Sequence, residues 1–192
     1  MFRKFMFTIA LAVAATSAHA ANPQVEFDTT AGIIKVELFP DAAPKTVANF
    51  LDYVKSKHFD GTQFHRVIDG FMIQGGGFTA DFKEKPTKPP IAIESEASSK
   101  AGMKNVVGTL AMARTSDPNS ATSQFFINVN DNARLDFSAA TAQGYGYTVF
   151  GKVVSGMDVI QKMKSSPTGP GGPFPSDVPK TPLLINSATL VK

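Results

Sequence analysis

Short stretches in which apolar and polar residues alternate dominate the chain after its first twenty residues. Val25-Glu26-Phe27-Asp28-Thr29-Thr30 and Ile33-Ile34-Lys35-Val36-Glu37-Leu38 are rich in β-branched residues and flank Ala31-Gly32, which predicts a hairpin. Further strands are predicted at Phe64–Ile68, Phe71–Gln74, Val106–Met112, Gln124–Asn130, Tyr147–Val153 and Leu183–Val191. Helical spacing occurs twice. After Pro44, the residues Val47, Phe50, Leu51 and Val54 fall three and four apart on one face. A proline at a helix start costs little, because its missing N–H had no partner there. Gly156 to Lys164, with Met157, Ile160 and Met163 on one side, reads as a second helix. Many short strands with two helices predict a mainly β fold, an antiparallel barrel or sandwich.

Two stretches lack this patterning. Ala80 to Ser99 is rich in Lys and Pro and reads as a long loop. Ser165 to Pro182 holds six of the thirteen prolines together with Gly169, Gly171 and Gly172. Composition alone would make it a linker, but the strand pattern of Leu183–Val191 follows it, so it reads as a surface loop within one domain. No period of 20–50 residues repeats. A chain of 192 residues is long enough for one domain with a sizeable core.

The N-terminus has a different character. Arg3 and Lys4 precede an apolar run from Phe5 to about Ala15, and Ala18-His19-Ala20 is an A-x-A cleavage pattern. Residues 1–20 therefore read as a signal peptide, with the mature chain starting at Ala21. The alternative, a membrane anchor, would need about 20 apolar residues, and the run is shorter. Loss of Arg3 and Lys4 lowers the formal charge from +3 to +1, since all 16 acidic residues remain. No Lys/Arg block interleaved with aromatics occurs, so nucleic acid is not an expected partner.

Composition and motifs narrow the chemistry. The chain has no Cys, which excludes thiol nucleophiles, thiolate metal sites and disulfides, and its three His do not suggest a histidine-rich metal site. There is no G-x-S-x-G elbow, H-E-x-x-H, Walker A loop or EF-hand. Gly75-Gly76-Gly77 opens no helix and reads as a turn, as does Gly144-Tyr145-Gly146. His58 lies at a helix end, a capping position. His65 neighbours Arg66 in a strand, so the two side chains point to opposite faces. The expected chemistry uses no metal, no cofactor and no covalent nucleophile.

One run is unusual for a plain strand: Phe64-His65-Arg66-Val67-Ile68-Asp69-Gly70-Phe71-Met72-Ile73-Gln74-Gly75-Gly76. Read by composition, Phe and Met belong to a core and Arg and Gln to a solvated rim. The run resembles, however, a signature of the cyclophilin-type peptidyl-prolyl isomerases. Gly108-Thr109-Leu110-Ala111-Met112-Ala113-Arg114, leading to Ser123-Gln124-Phe125-Phe126-Ile127-Asn128, resembles that family's other signature. Tyr147-Thr148-Val149-Phe150-Gly151-Lys152-Val153 is similar to its closing strand. The three occur in family order, and the similarity extends from Val25 to Val191. Residues 21–192 are thus identified as one domain of a bacterial, exported member.

The resemblance implies a closed eight-stranded antiparallel β-barrel capped by two α-helices, with the groove on its outside. It implies that Arg66 is catalytic and that Gln74 orients it and the substrate. It assigns Phe71, Met72, Phe126 and Leu135 to the pocket for the proline ring, and Ala113, Arg114 and Gln124 to contacts with the peptide backbone. The sequence departs from the family pattern at Arg134, where a tryptophan is common, at Tyr147, a substrate-binding position where a histidine is common, and at Arg114, where many members have Asn. These exchanges bear on substrate preference and inhibitor binding. The implied partners are proline-containing peptides and unfolded or folding proteins, with no membrane contact after signal cleavage and a monomeric state. The implied role is assisting the folding of exported proteins, in a periplasm before an extracellular space. A non-catalytic proline-segment-binding chaperone or docking module is the alternative, and a barrel holding a small ligand inside is a third reading. Mass spectrometry of the exported protein is expected to give a chain beginning at Ala21; retention of residues 1–20 would refute the cleavage reading.

Overall fold

The computed structural model describes residues 21–191; residues 1–20, and with them the expected signal peptide, lie outside the described residues, as does Lys192. The first half comprises β1 (Gln24–Thr29), β2 (Gly32–Leu38), α1 (Pro44–Lys55), β3 (Thr62–Gln63), β4 (Arg66–Ile68), β5 (Met72–Gly75), β6 (Phe78–Thr79) and α2 (Ser95–Lys100). The second comprises β7 (Thr109–Met112), β8 (Phe125–Asn128), a 3-10 turn (Ala133–Leu135), β9 (Val149–Ser155), α3 (Met157–Lys164), β10 (Thr168–Gly171), β11 (Phe174–Pro179) and β12 (Ile185–Val191). Eight strands form one antiparallel sheet in the order β12-β1-β2-β9-β7-β8-β5-β4, while β3/β6 and β10/β11 form two small ribbons.

The predicted hairpin is present and its turn chemistry is visible. The Thr29 hydroxyl accepts the N–H groups of Ala31 (3.2 Å) and Gly32 (3.1 Å) and donates to the Gly32 carbonyl (2.6 Å). Alternation then sends Val25 and Phe27 of β1, and Ile34, Val36 and Leu38 of β2, into the interior. There they meet the apolar stripes of both predicted helices: Val47, Phe50, Tyr53 and Val54 of α1, and Val159, Ile160 and Met163 of α3. Interlocked rings fill the centre. Phe27 stacks on Phe125 at 5.6 Å, and Phe50 meets Phe125 edge-on at 5.4 Å. Such pairs add about 0.5–1.5 kcal/mol each beyond their area.

Three expectations need correction. The sheet curls without closing: β12 and β4 are its edges, with no ladder between them among the described residues. Thr62 and Gln63 use their pairing on β6, through Thr62–Thr79 and Gln63–Phe78. One bridge, Gln63–Leu184, and the bonds Phe64 N–H to Leu183 O and Gly61 N–H to Ile185 O (2.8 Å each) are left to hold the seam. The architecture is a half-barrel rather than a closed barrel. Among the described residues there are three α-helices rather than two, because α2 is six residues without an apolar stripe. Its buried face is Ser95 and Ser98, and the Ser98 hydroxyl donates to Val149 O at 2.6 Å. The expected loop from Ser165 to Pro182 contains the β10/β11 hairpin. A two-stranded ribbon has open edges on both sides, where prolines without N–H groups are tolerated.

The start of α1 is capped from far along the chain. Its N-cap residue, Ala43, has no side chain able to accept, and Pro44 lacks a donor. Glu94 supplies the acceptor instead. Its carboxylate takes the N–H groups of Lys45 (3.0 Å) and Thr46 (2.8 Å) and the Thr46 hydroxyl (2.8 Å). The negative charge also suits the positive end of the helix dipole. Glu94→Ala is expected to lower stability by about 1–2 kcal/mol, the usual cost of a lost cap, with Glu94→Gln between the two. Urea denaturation midpoints check this, and an unchanged midpoint in Glu94→Ala would refute it.

Candidate active site

The site is a consequence of strand register. β5 lies between β4 and β8, pairing Arg66 with Gln74 and Gln74 with Phe126; β7 continues the row through Ala111. Side chains alternate along each strand. Val67, Ile73, Ile127 and Leu110, one position along, are therefore in the core, while Arg66, Gln74 and Phe126 share the opposite face. Met72, Ala111, Phe126 and Val149 make a second, smaller apolar cluster there, with Phe71, Ala113, Leu135 and Tyr147 packed against it.

The remaining wall comes from the segment between β8 and β9. Gly146, at φ 58, is where this segment folds back: a Cβ there would stand 2.3 Å from the Leu135 carbonyl. Tyr147 N–H then bonds that same carbonyl at 2.9 Å. Arg114 ties the wall down, donating from Nε to Gly146 O (2.8 Å) and from its terminal nitrogens to Ala142 O (3.1 Å) and Thr115 O (2.9 Å). Its guanidinium covers the Tyr147 ring at 4.9 Å, and Tyr147 meets Phe126 edge-on at 5.5 Å.

These groups enclose an open cavity of about 210 Å³. Nine of the ten residues singled out from the sequence line it: Arg66, Phe71, Met72, Gln74, Ala113, Arg114, Phe126, Leu135 and Tyr147. Gln124 is set back and accepts a hydrogen bond from Gln74 at 3.0 Å. The absence of a side chain on Gly77 permits this, since a Cβ there would fall 2.6 Å from the Gln124 side chain. The neighbouring cavity is lined by Gln74, Ala113, Arg114 and Gln124 as well as Glu84. The Arg66 side chain makes no hydrogen bond or ion pair among the described residues, so its donors are available to a ligand. No group of three or more potential metal-ligating His or acidic residues occurs among the described residues.

A buried amide chain behind the pocket was not singled out from the sequence. Asn132 donates to Asn128 Oδ1 (2.7 Å) and to Phe71 O (2.9 Å), and Asn128 donates to Asn105 Oδ1 (3.2 Å). Asn105 in turn gives its backbone and side-chain N–H groups to Asp136 Oδ1. This links the Phe71 side of the pocket to the turn bearing Leu135. The local signal was partial, two of its members being Asn128 and Asn132, four residues apart, while Asn105 lies 23 residues away.

Residues 24–190 match the family model described as cyclophilin type peptidyl-prolyl cis-trans isomerase/CLD. The chain belongs to the cyclophilin-type peptidyl-prolyl cis-trans isomerases. It is 54% identical over 166 residues to peptidyl-prolyl cis-trans isomerase B of Escherichia coli K12, covering 86% of this chain and 98% of that one. It is 53% identical to the isomerase cyp18 of Streptomyces antibioticus, over 87% and 98% of the two chains. A Cryptosporidium parvum cyclophilin-type isomerase, crystallised in the presence of the dipeptide Ala-Pro, superposes with a TM-score of 0.69 at 26% identity, covering 88% of this chain and 99% of that one. Peptidyl-prolyl isomerisation is accordingly the activity of this cyclophilin-type chain.

In this isomerase His65 turns away from the groove, as alternation requires. It is 2% exposed, stacked on Phe174 of the β10/β11 hairpin at 5.1 Å and edge-on to Phe78 at 4.8 Å. Burial, with a smaller push from the Arg66 charge and against the Gln63 main chain, lowers its pKa to about 4. His58 is lowered too, by burial and then by Lys85. Between pH 6.5 and about 4 the unfolded chain therefore holds more protons than the folded one. Stability is expected to be full above pH 6.5 and to fall as pH drops through that window, with a slope of up to about 1.4 kcal/mol per pH unit from this residue. Denaturation midpoints of wild type and His65→Phe between pH 7 and 5 check this: the variant should show the shallower slope, and equal slopes would refute the assignment.

Proposed function

We propose that the Arg66 cavity is where this isomerase rotates X–Pro bonds, with Arg66 and Gln74 as its catalytic residues. Phe71, Met72, Phe126, Leu135 and Tyr147 seat the proline ring, and Ala113, Arg114 and Gln124 run along the peptide backbone. One observation carries the reading: a guanidinium without a partner borders a ring-sized apolar depression floored by Phe126 and Met72, both under 5% exposed.

The chemistry follows from the amide. Rotation about X–Pro is opposed by resonance, with a barrier of about 18–20 kcal/mol. At the twisted transition state that resonance is lost, the proline nitrogen becomes pyramidal, and its lone pair can accept a hydrogen bond. Arg66 can donate to the nitrogen only then, which is selective binding of the transition state. The Gln74–Gln124 hydrogen bond fixes the amide across from Arg66 in the β4/β5 register. Raising a rate near ~0.01 s⁻¹ to about 10–1,000 s⁻¹ requires roughly 4–7 kcal/mol. A preorganised donor of the oxyanion-hole kind supplies about 2.7–4 kcal/mol; seating the ring on the apolar floor supplies the rest. No bond to carbon is made or broken.

The clients are exported polypeptides, and the site of action is the periplasm. This reading rests on the Arg3-Lys4 start, the short apolar run and Ala18-His19-Ala20. Arg66→Ala is expected to reduce kcat/KM for a Pro-containing peptide by about two to three decades. Arg66→Lys should also be poor, since a point charge does not reproduce the guanidinium fork, and Phe126→Ala should weaken the seat for the ring. NMR exchange or coupled proteolysis provides the measurement. Near-wild-type rates in Arg66→Ala would overturn this mechanism.

A further inference from the structure

A third guanidinium stands at the pocket's edge, and neither the seating of the ring nor the rotation of the bond uses it. Arg134, exposed on the 3-10 turn beside Leu135, lies over the Phe71 ring at 4.6 Å. The ring holds the cation by its quadrupole, fixing the head beside the cavity while leaving its edge donors free. Arg134 has no hydrogen bond or ion pair among the described residues. The acidic residues of the surrounding turns are engaged elsewhere. Asp69 pairs with Lys164 at 3.4 Å. Asp136 pairs with Lys104 at 3.7 Å and accepts from Asn105. Asp131 accepts the Val107 N–H at 3.0 Å.

The charges are therefore arranged with a direction. No carboxylate lines the cavity itself, and Arg66 and Arg114 both do. The acidic residue that does approach, Glu84, lines the neighbouring cavity across Gln74, Ala113 and Arg114. That places it beyond Gln74 and Arg114, while Arg134 stands at the Phe71–Leu135 wall. An extended peptide with its proline in the cavity passes Arg134 on one side of the ring.

We propose that Arg134 is a specificity-determining residue that makes this isomerase favour prolines flanked, on the side passing Phe71, by an acidic side chain. The inference rests on the Arg66 cavity being the active site. A carboxylate there meets a cation that needs no rearrangement and loses no existing partner. A lysine at the same place meets like charge. Because Arg134 is exposed, the effect is that of a surface pair, about three- to fivefold in kcat/KM at low salt.

The test is a peptide series around one proline, with Glu, Gln or Lys placed in turn at each of the two positions before and after it. Wild type, Arg134→Gln and Arg134→Glu are assayed, and Glu/Gln ratios of kcat/KM are compared, so each enzyme is its own control for folding and basal rate. At one flank the wild-type ratio should be at least threefold and should shrink between 20 mM and 500 mM salt, about 20 and 4 Å of Debye length. It should fall to about one in Arg134→Gln and shift towards Lys in Arg134→Glu. A wild-type ratio near one at every position, or a preference that survives in Arg134→Gln, overturns the proposal. Arg66→Ala, run on the neutral Gln peptides, tests the site assignment separately: loss of turnover there with a flat Glu/Gln ratio in wild type defeats only the Arg134 inference.

Discussion

The period of two along a β-strand is the constraint on which the groove depends. β4, β5, β8 and β7 are paired so that Arg66, Gln74, Phe126 and Ala111 form one row across the sheet. The adjacent row, Val67, Ile73, Ile127 and Leu110, is completely or almost completely buried on the other face. A slip of one residue would exchange the rows and drive a guanidinium into the phenylalanine core, at a desolvation cost no nearby carboxylate offsets. The packing of Phe27, Phe50, Phe125 and Phe150 therefore aims Arg66 without touching it. Core stability and alignment of Arg66 and Gln74 along the groove have a common physical cause here.

The opposite wall is built by other means. Between β8 and β9 the chain has no ladder to follow, and polar groups set its path: the Asn132–Asn128–Asn105–Asp136 chain below, and Arg114 on the carbonyls of Gly146 and Ala142 above. Buried amides are worth keeping only when each is satisfied, and here they join three otherwise separate turns. The cavity thus has a rigid side made of strands and a side held by side-chain hydrogen bonds. Differences in what the groove accepts arise more readily on the second side, where Arg114, Arg134 and Tyr147 reside.

The legibility of the fold in the sequence follows the same division. The β1/β2 hairpin, α1 and α3 carry strong periodicity and were readable, as was the orientation of His65 away from Arg66. Elements whose formation depends on tertiary partners were not. α2 presents only Ser95 and Ser98 inward, and no apolar period announces it. The β10/β11 hairpin is masked by its Pro and Gly content; its one local clue is Phe174, which packs on His65 and Phe78. Openness of the sheet was also hidden, because it depends on Thr62 and Gln63 choosing β6 over β12. Composition alone placed Arg66 and Gln74 on a solvated rim; three motifs in register pointed to the groove. The Glu94 cap could not be inferred locally, as donor and acceptor are 48 and 49 residues apart.

The pairing of β1 with β12 has a consequence for the time order of folding. The ladder from Gln24–Val191 to Thr29–Ile185 joins the two ends of the domain, and β12 also supplies the strand across the seam. Until the last seven strand residues are available, β1 keeps an unpaired edge, the seam has no second bank, and Phe27 sits beneath an incomplete wall. Contacts of such long sequence separation form late, because loop-closure entropy must be overcome before they stabilise anything. A nascent chain emerging N-terminus first therefore remains open through most of its synthesis. The sheet is completed on that side only when β12 arrives to pair with β1.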